Sequence, residues 1–267
     1  MSRELTAPSE RLIAAAQLAA AILFEGEQQR SLRAIDVGCD HAKLAIYLVQ
    51  SGICSHVLAC DINDGPVAKA REAVLRRKNK SESLSRFITV VQNDGLQGLA
   101  DIPADRVFIL GMGGELIADI LERAPFVRDA SRRTAFVLQA MTGESDLRRY
   151  LCQRGFVILR EKLVRDKGRI YSLLLCRYDG VERHMNEALL SVGEYHVYHP
   201  DHELFLPYID RKIRIQTKIV DKLVHAGMVC GSQETLLDEL VMLRKRAAEQ
   251  LKAEGVLPAG ENKELYQ

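Results

Sequence analysis

Five short apolar runs, with helix-forming segments between most of them, constrain this chain more than any other feature. The runs are Leu32 to Val37, His56 to Cys60, Phe87 to Val91, Arg106 to Leu110 and Ala135 to Gln139. Helical segments fall at about Ala42 to Gln50, Pro66 to Lys78, Glu115 to Arg123 and Ser145 to Arg154. Strands and helices alternating at this spacing predict an α/β fold, a parallel sheet with helices on both faces. A helix from about Pro8 to Phe24 precedes them; proline suits its first turn and Gly26 ends it. Phe156 to Val164 and Ile170 to Tyr178 are joined by Asp166-Lys167-Gly168, a tight-turn signal. A hairpin there puts antiparallel strands on an otherwise parallel sheet.

The pattern changes after Asp179. Residues 1–179 are expected to form the α/β domain, 180–202 a connector and 203–267 a helical hairpin domain. Two long helices are predicted, Leu204 to Ala226 and Glu234 to Ala253. Ile209, Ile213, Val220 and Leu223 lie on one stripe, and Leu236, Leu240, Leu243 and Ala247 on the other. The spacing is close to a heptad, interrupted at Gln216, and a coiled-coil-like antiparallel pair buries both stripes.

Composition narrows the function classes. Hydrophobic residues are 47% of the 267, which excludes wholesale disorder, and a net charge of +1 excludes a histone-like binder. No apolar run is long enough to span a membrane. Six cysteines without a CxxC pair fit a reducing cytoplasm better than a disulfide framework. No metal site is expected. His196, His199 and His202 are interrupted by Pro200, and Cys39, His41, Cys54, His56 and Cys60 read as strand and helix positions where small buried residues are common. Two basic runs stand out, Arg71 to Arg86 and Glu144 to Tyr178. Such runs are solvated faces more often than nucleic-acid sites. The residues carry no signal for an oligomeric state.

Ligands of an open parallel sheet bind outside the carboxyl ends of its strands. Those ends read Asp36-Val37-Gly38-Cys39-Asp40-His41, Cys60-Asp61-Ile62-Asn63, Gln92-Asn93-Asp94-Gly95 and Gly111-Met112-Gly113-Gly114. Aspartate, asparagine and glycine are also ordinary caps and turn formers. Four polar tips in register with the same βα pattern ask for more. The first tip is not GxGxxG, and Asp36 and Asp40 would repel a pyrophosphate. An acidic loop suits S-adenosyl-L-methionine, whose amino-acid end is cationic. Asp61 is placed to accept ribose hydroxyls, and Asn93 and Asp94 to meet the adenine edge.

These tips, with Asp64-Gly65-Pro66 and Val137-Leu138-Gln139, resemble the TrmK-type bacterial tRNA methyltransferases. The resemblance covers about residues 9 to 178 and continues into the helical part. It implies a class I, Rossmann-like methyltransferase domain, S-adenosyl-L-methionine as cofactor, tRNA as partner, and methylation at N1 of adenine 22 in the D-arm region. The family's cofactor loop then falls on Asp36, Gly38, Asp40 and His41, its ribose acid on Asp61, and its adenine side on Asn93, Asp94 and Gly95. The methyl side falls on Gly111, Met112, Gly113 and Gly114. Gln139 is expected at the substrate, and Arg211, Lys212, Arg214 and Lys218 at tRNA phosphates. The family's Leu-Gln-Pro-Asn reads Leu138-Gln139-Ala140-Met141 here. A methyltransferase for protein or small molecules, and a noncatalytic RNA-binding protein, are the other classes this fold accommodates.

Overall fold

The computed structural model describes residues 8–21, 23, 31–79, 82–201 and 203–255, with the backbone alone for Lys78 and Asn79. The chain divides into two compact units, Met1–His184 and Met185–Gln267.

The first unit is built on seven strands. In chain order it runs α1 (Glu10–Ala19), β1 (Leu32–Val37), α2 (Lys43–Gln50), β2 (Cys54–Asp61) and α3 (Asp64–Leu75). A two-residue ladder follows, β3 (Lys78–Asn79) with β4 (Glu82–Ser83). Then come β5 (Ile88–Gln92), β6 (Arg106–Gly113), α4 (Gly114–Glu122), β7 (Ala135–Thr142), α5 (Glu144–Gln153), β8 (Phe156–Asp166) and β9 (Arg169–Tyr178). The order across the main sheet is β5-β2-β1-β6-β7-β9-β8. The first five are mutually parallel, and β9 runs antiparallel to both β7 and β8. Strand order reverses at β1, so the crevice for a ligand opens between the ends of β1 and β6.

Both faces of this sheet are buried, which is why its strands read as continuous apolar runs. Alternate residues supply opposite cores. Ala34, Phe108, Val137 and Leu175 meet α1, α2 and α3 on one face. Ile35, Ile109, Leu138 and Leu174 meet α4 and α5 on the other. Arg106 is almost fully buried; its Nε donates to Ala19 O at 2.8 Å and its Nη2 to Ala21 O at 2.9 Å. A cation therefore satisfies the last carbonyls of α1 and matches the helix dipole.

Several boundaries differ from expectation. The helix expected to continue to Lys78 ends at Leu75, where the chain enters the small ladder. The helix expected to reach Phe24 ends at Ala19, and Phe24 itself lies outside the described residues. The glycine run after Leu110 is not a loop: β6 continues through Gly113 with two register shifts against β7.

The second unit begins earlier than expected. The stretch read as connector carries α6 (Glu187–Val192) and α7 (Glu194–Tyr198), followed by α8 (Phe205–His225) and α9 (Gly231–Ala253). Ile209, Ile213 and Val220 of α8 and Leu240, Ala247 and Leu251 of α9 are buried. Gln216 sits inside this seam without an orphaned amide, because its Nε2 donates to Gln233 O at 2.9 Å and Gln233 Oε1 at 2.8 Å. Arg244 Nε donates to Asp210 Oδ1 at 3.0 Å across the same pair. His196 is buried against Phe205 and Tyr208, so it is a core histidine; His202 lies outside the described residues. No group of three or more metal-ligating side chains occurs among the described residues, and none of their helices is long and apolar enough to cross a membrane.

Candidate active site

The crevice starts from the turn after β1. Gly38, Asp40 and Ala42 all take positive φ (75°, 44° and 51°). The amides of Gly38 and Cys39 both donate to Cys60 O, at 2.8 and 3.0 Å, which ties the β1 turn to the tip of β2. Met112 of β6 lies over Gly38, where any Cβ would meet its terminal methyl. The tips of β1, β2 and β6 are thereby brought together.

Asp36 forms the floor. It is only 4% exposed, accepts from the Ala45 amide of α2, and leaves Oδ2 buried without a hydrogen-bond partner. Burial pushes its carboxyl up to about 7; the Ala45 amide opposes this and the nearby Asp61 carboxylate adds to it. A buried carboxylate oxygen without a donor, beside a second acid, fits a cationic group. It does not fit a pyrophosphate. Burial also holds the Cys39 thiol up at about 12, so that sulfur is no nucleophile at neutral pH.

The other predicted acids have different tasks. Asp61 Oδ1 accepts the Asn63 amide at 3.0 Å. Asp40 is exposed and His41 half-buried, their side chains 3.6 Å apart. Asn93 spends its amide donors on Gly95 O and Gln97 O, both at 3.0 Å, so it shapes its own turn. Asp94 is turned toward the end of α4. Its oxygens accept from Arg123 at 2.7 and 3.2 Å and from Gln97 at 2.9 Å. The Arg123 hydrogen bonds hold its carboxyl below the usual range.

The glycine run divides by cause. Gly111 has φ +81° at the bulge of β6. Gly114 packs against Gly143 backbone, so a Cβ there would overlap the carbonyl that starts α5. Gly113 has an ordinary φ of −68°, and a Cβ on it would stand 3.5 Å from Thr142 Oγ1, a normal contact. The fold itself therefore does not demand glycine at 113. Gly114→Ala should lose about 1–3 kcal/mol of stability, as overpacking does, whereas Gly113→Ala should melt within about 2 °C of the parent. Thermal melts check this; equal melting of both variants would refute the division.

Gln139 is not available to a substrate. It is fully buried, with Oε1 accepting Arg11 Nη1 at 2.8 Å and Nε2 donating to Ala140 O at 2.6 Å. Arg11, on α1, carries no motif signal and is missed by sequence reasoning. In place of a Pro-Asn turn, Ala140 is buried and Met141 stands 40% exposed as β7 runs on to Thr142. In the second unit Arg211, Arg214 and Lys218 are exposed on α8, while Lys212 is half-buried with Nζ 5.2 Å from the Tyr208 ring.

A doubly wound sheet finished by an antiparallel hairpin, with an acidic turn where dinucleotide enzymes have glycines, is the architecture of class I, Rossmann-like methyltransferases. A family model described as tRNA (adenine(22)-N(1))-methyltransferase, TrmK, matches residues 34–249. The chain belongs to that family. It is 31% identical over 153 residues to the tRNA (adenine(22)-N(1))-methyltransferase of Bacillus subtilis strain 168, a match covering 55% of this chain and 61% of that one. The crystal structure of the B. subtilis m1A22 tRNA methyltransferase TrmK superposes with TM-score 0.68 at 24% identity, over 91% of this chain and 98% of the other. M. capricolum TrmK, solved with the cofactor product S-adenosyl-homocysteine, superposes with TM-score 0.64 at 22% identity, over 92% and 99%.

Proposed function

We propose that this protein is an S-adenosyl-L-methionine-dependent tRNA methyltransferase that methylates N1 of adenine 22 in the D-arm region. The observation that carries the reading is the Asp36 floor: a buried, unpartnered carboxylate oxygen at the β1/β6 switch, in a chain of this family. Asp36 would hold the cationic end of the cofactor, Asp61 the ribose, and the β1 turn its methionine portion. When bound, S-adenosyl-L-methionine supplies an electrophilic methyl group.

Neutral adenine N1 has an in-plane lone pair and no proton to lose. No general base is then needed, and positioning carries the acceleration. The tips agree with that economy. Asp36 is buried, Asp94 is committed to Arg123, and Asp61 closes its own turn. The base must leave its stack to reach Gly113. Single-turnover rates on saturating tRNA and saturating cofactor should be nearly flat from about pH 6 to 9, with the product mass-mapped to N1 of adenine 22. A steep rise with pH abolished by Asp40→Asn, or methylation of an exocyclic amine or of guanine, would overturn the reading.

The exposed cations of α8 support tRNA as the partner. Replacing Arg211, Arg214 and Lys218 together by Gln should raise the tRNA KM by roughly tenfold or more and flatten its salt dependence by up to three phosphate contacts, leaving cofactor affinity alone. An unchanged salt slope would remove α8 from the interface. Five of the six free cysteines are buried, which fits a protein working in a reducing cytoplasm.

A further inference from the structure

One side chain outside every motif joins three elements at the acceptor end of the sheet. Arg11 Nη1 donates to Gln139 Oε1 at 2.8 Å and reaches Met141 Sδ at 3.3 Å, both on β7. Its guanidinium carbon lies 5.2 Å from the centre of the Tyr171 ring on β9. A Cβ on Gly111, at the β6 bulge, would stand 3.6 Å from the same Nη1. Its Nε is buried with no hydrogen-bond partner, so the guanidinium is seated in protein along one edge.

On the methyltransferase reading, this neighbourhood lies beside the glycine run assigned to the methyl side. Met112 and Gly113 of β6 pair with Ala140 and Thr142 of β7, through the register shifts that the bulge creates. Bulges re-aim the residues beside them, and a bulge needs a backing to hold its direction. Arg11 gives that backing. Its planar fork, fixed on an amide carbonyl and stacked on a ring, has little freedom. Its described contacts are all with protein. A guanidinium aimed at adenine would oppose the positive charge that the ring gains on N1 methylation. Here the nearest donor is given to the Gln139 carbonyl, and the π face of Tyr171 takes the cation.

We propose that Arg11 is a positioning residue for the target adenine: through Gln139, Met141 and the Gly111 bulge it sets the place of the acceptor base relative to the methyl group, without touching cofactor. This rests on the methyltransferase reading given above. Near-attack geometry is steep, and a misplacement of about 1 Å costs on the order of a hundredfold.

The test uses the full chain, saturating tRNA and single-turnover rates, with cofactor affinity and melting temperature measured on the same variants. Arg11→Met should lower the methylation rate 10- to 100-fold while cofactor affinity stays within about twofold. Arg11→Lys, which keeps charge and one donor, should fall between. Gln139→Glu keeps an acceptor for Arg11 and should lose less than Gln139→Leu. The double variant Arg11→Met/Gln139→Leu should be no slower than the worse single one, because both act through one contact. Full activity of Arg11→Met beside an active parent would overturn the proposal alone. So would a defect confined to tRNA KM with a reduced salt slope, which marks a phosphate contact, or a parallel loss of cofactor affinity. A parent chain that forms no 1-methyladenine would overturn the functional reading, and this inference with it.

Discussion

Arg148→Ala should destabilise the first unit by about 3–5 kcal/mol, the largest single effect expected from this structure. Arg148 on α5 and Glu161 on β8 are both essentially inaccessible to water, with Nε and Oε1 at 2.7 Å. Arg148 Nη2 also donates to Ser172 Oγ of β9 at 3.1 Å. Truncating the arginine leaves a carboxylate in the core beneath the hairpin, with its main counter-charge gone. The melting temperature should fall by roughly 10 °C or more. Arg148→Met combined with Glu161→Leu should recover much of the loss, since two apolar groups leave no uncompensated charge. Urea and thermal unfolding of the three chains decide it. A single variant melting within about 3 °C of the parent would show that the pair contributes little.

The second large effect concerns Asp36. Asp36→Asn should weaken S-adenosyl-L-methionine binding by roughly 1–3 kcal/mol, about ten- to hundredfold, as the loss of a charge-assisted contact does. The pH dependence follows from the raised carboxyl, about 7 folded against about 4 in an unfolded chain. Asp36 costs the fold nothing while protonated in both states, below about pH 4. Between about pH 4 and 7 the unfolded chain ionises and the buried carboxyl does not, so the fold loses stability progressively, and the deficit is constant above that. Asp36→Asn should therefore flatten the stability profile and gain on the parent between pH 5 and 8. A cationic ligand reverses the preference, because it favours the ionised form. Binding below about pH 7 should release a proton in the parent and not in the variant. Calorimetry in two buffers of different ionisation heat measures that proton. Equal affinity and equal proton release in both chains would remove Asp36 from the cofactor site.

The sheet was legible because burial on both faces leaves its mark in each strand separately. Val107, Phe108 and Ile109 are all apolar, whichever core they enter. The β8–β9 turn was legible from Lys167 and Gly168, which both take positive φ. The end of β6 was not, since a glycine-rich bulged strand and a glycine-rich loop share one composition. The short helices α6 and α7 were hidden for another reason: each is too brief to show a helical period. Asp36, Asp61, Asn93 and Asp94 stood out alike because they sit at strand ends. In the structure Asp36 leaves an oxygen buried without a partner, Asp61 and Asn93 bond within their own turns, and Asp94 pairs with Arg123. Residue type and spacing do not separate a ligand contact from a turn bond. Arg11 and Gln139 are 128 positions apart, and no local pattern announces such a pair.

The basic run from Glu144 to Tyr178 also reads differently in three dimensions. Arg148 is in the core, Arg149 pairs with Asp146, Arg154 with Glu122, and Lys162 donates to Gln17. Of the rest, Arg160 and Arg165 stand exposed along β8, the eleven-residue strand on which the sheet ends. A long terminal strand carries a row of backbone donors and acceptors that another chain's strand can zip onto. Here the ladder slips between Ile158 and Arg160, Arg160 closes the apolar run Phe156 to Leu159, and Arg165 follows Leu163 and Val164. The consequence lies in the test tube and the crowded cell as much as in catalysis: charges on an edge strand oppose the growth of one copy of a sheet into the next.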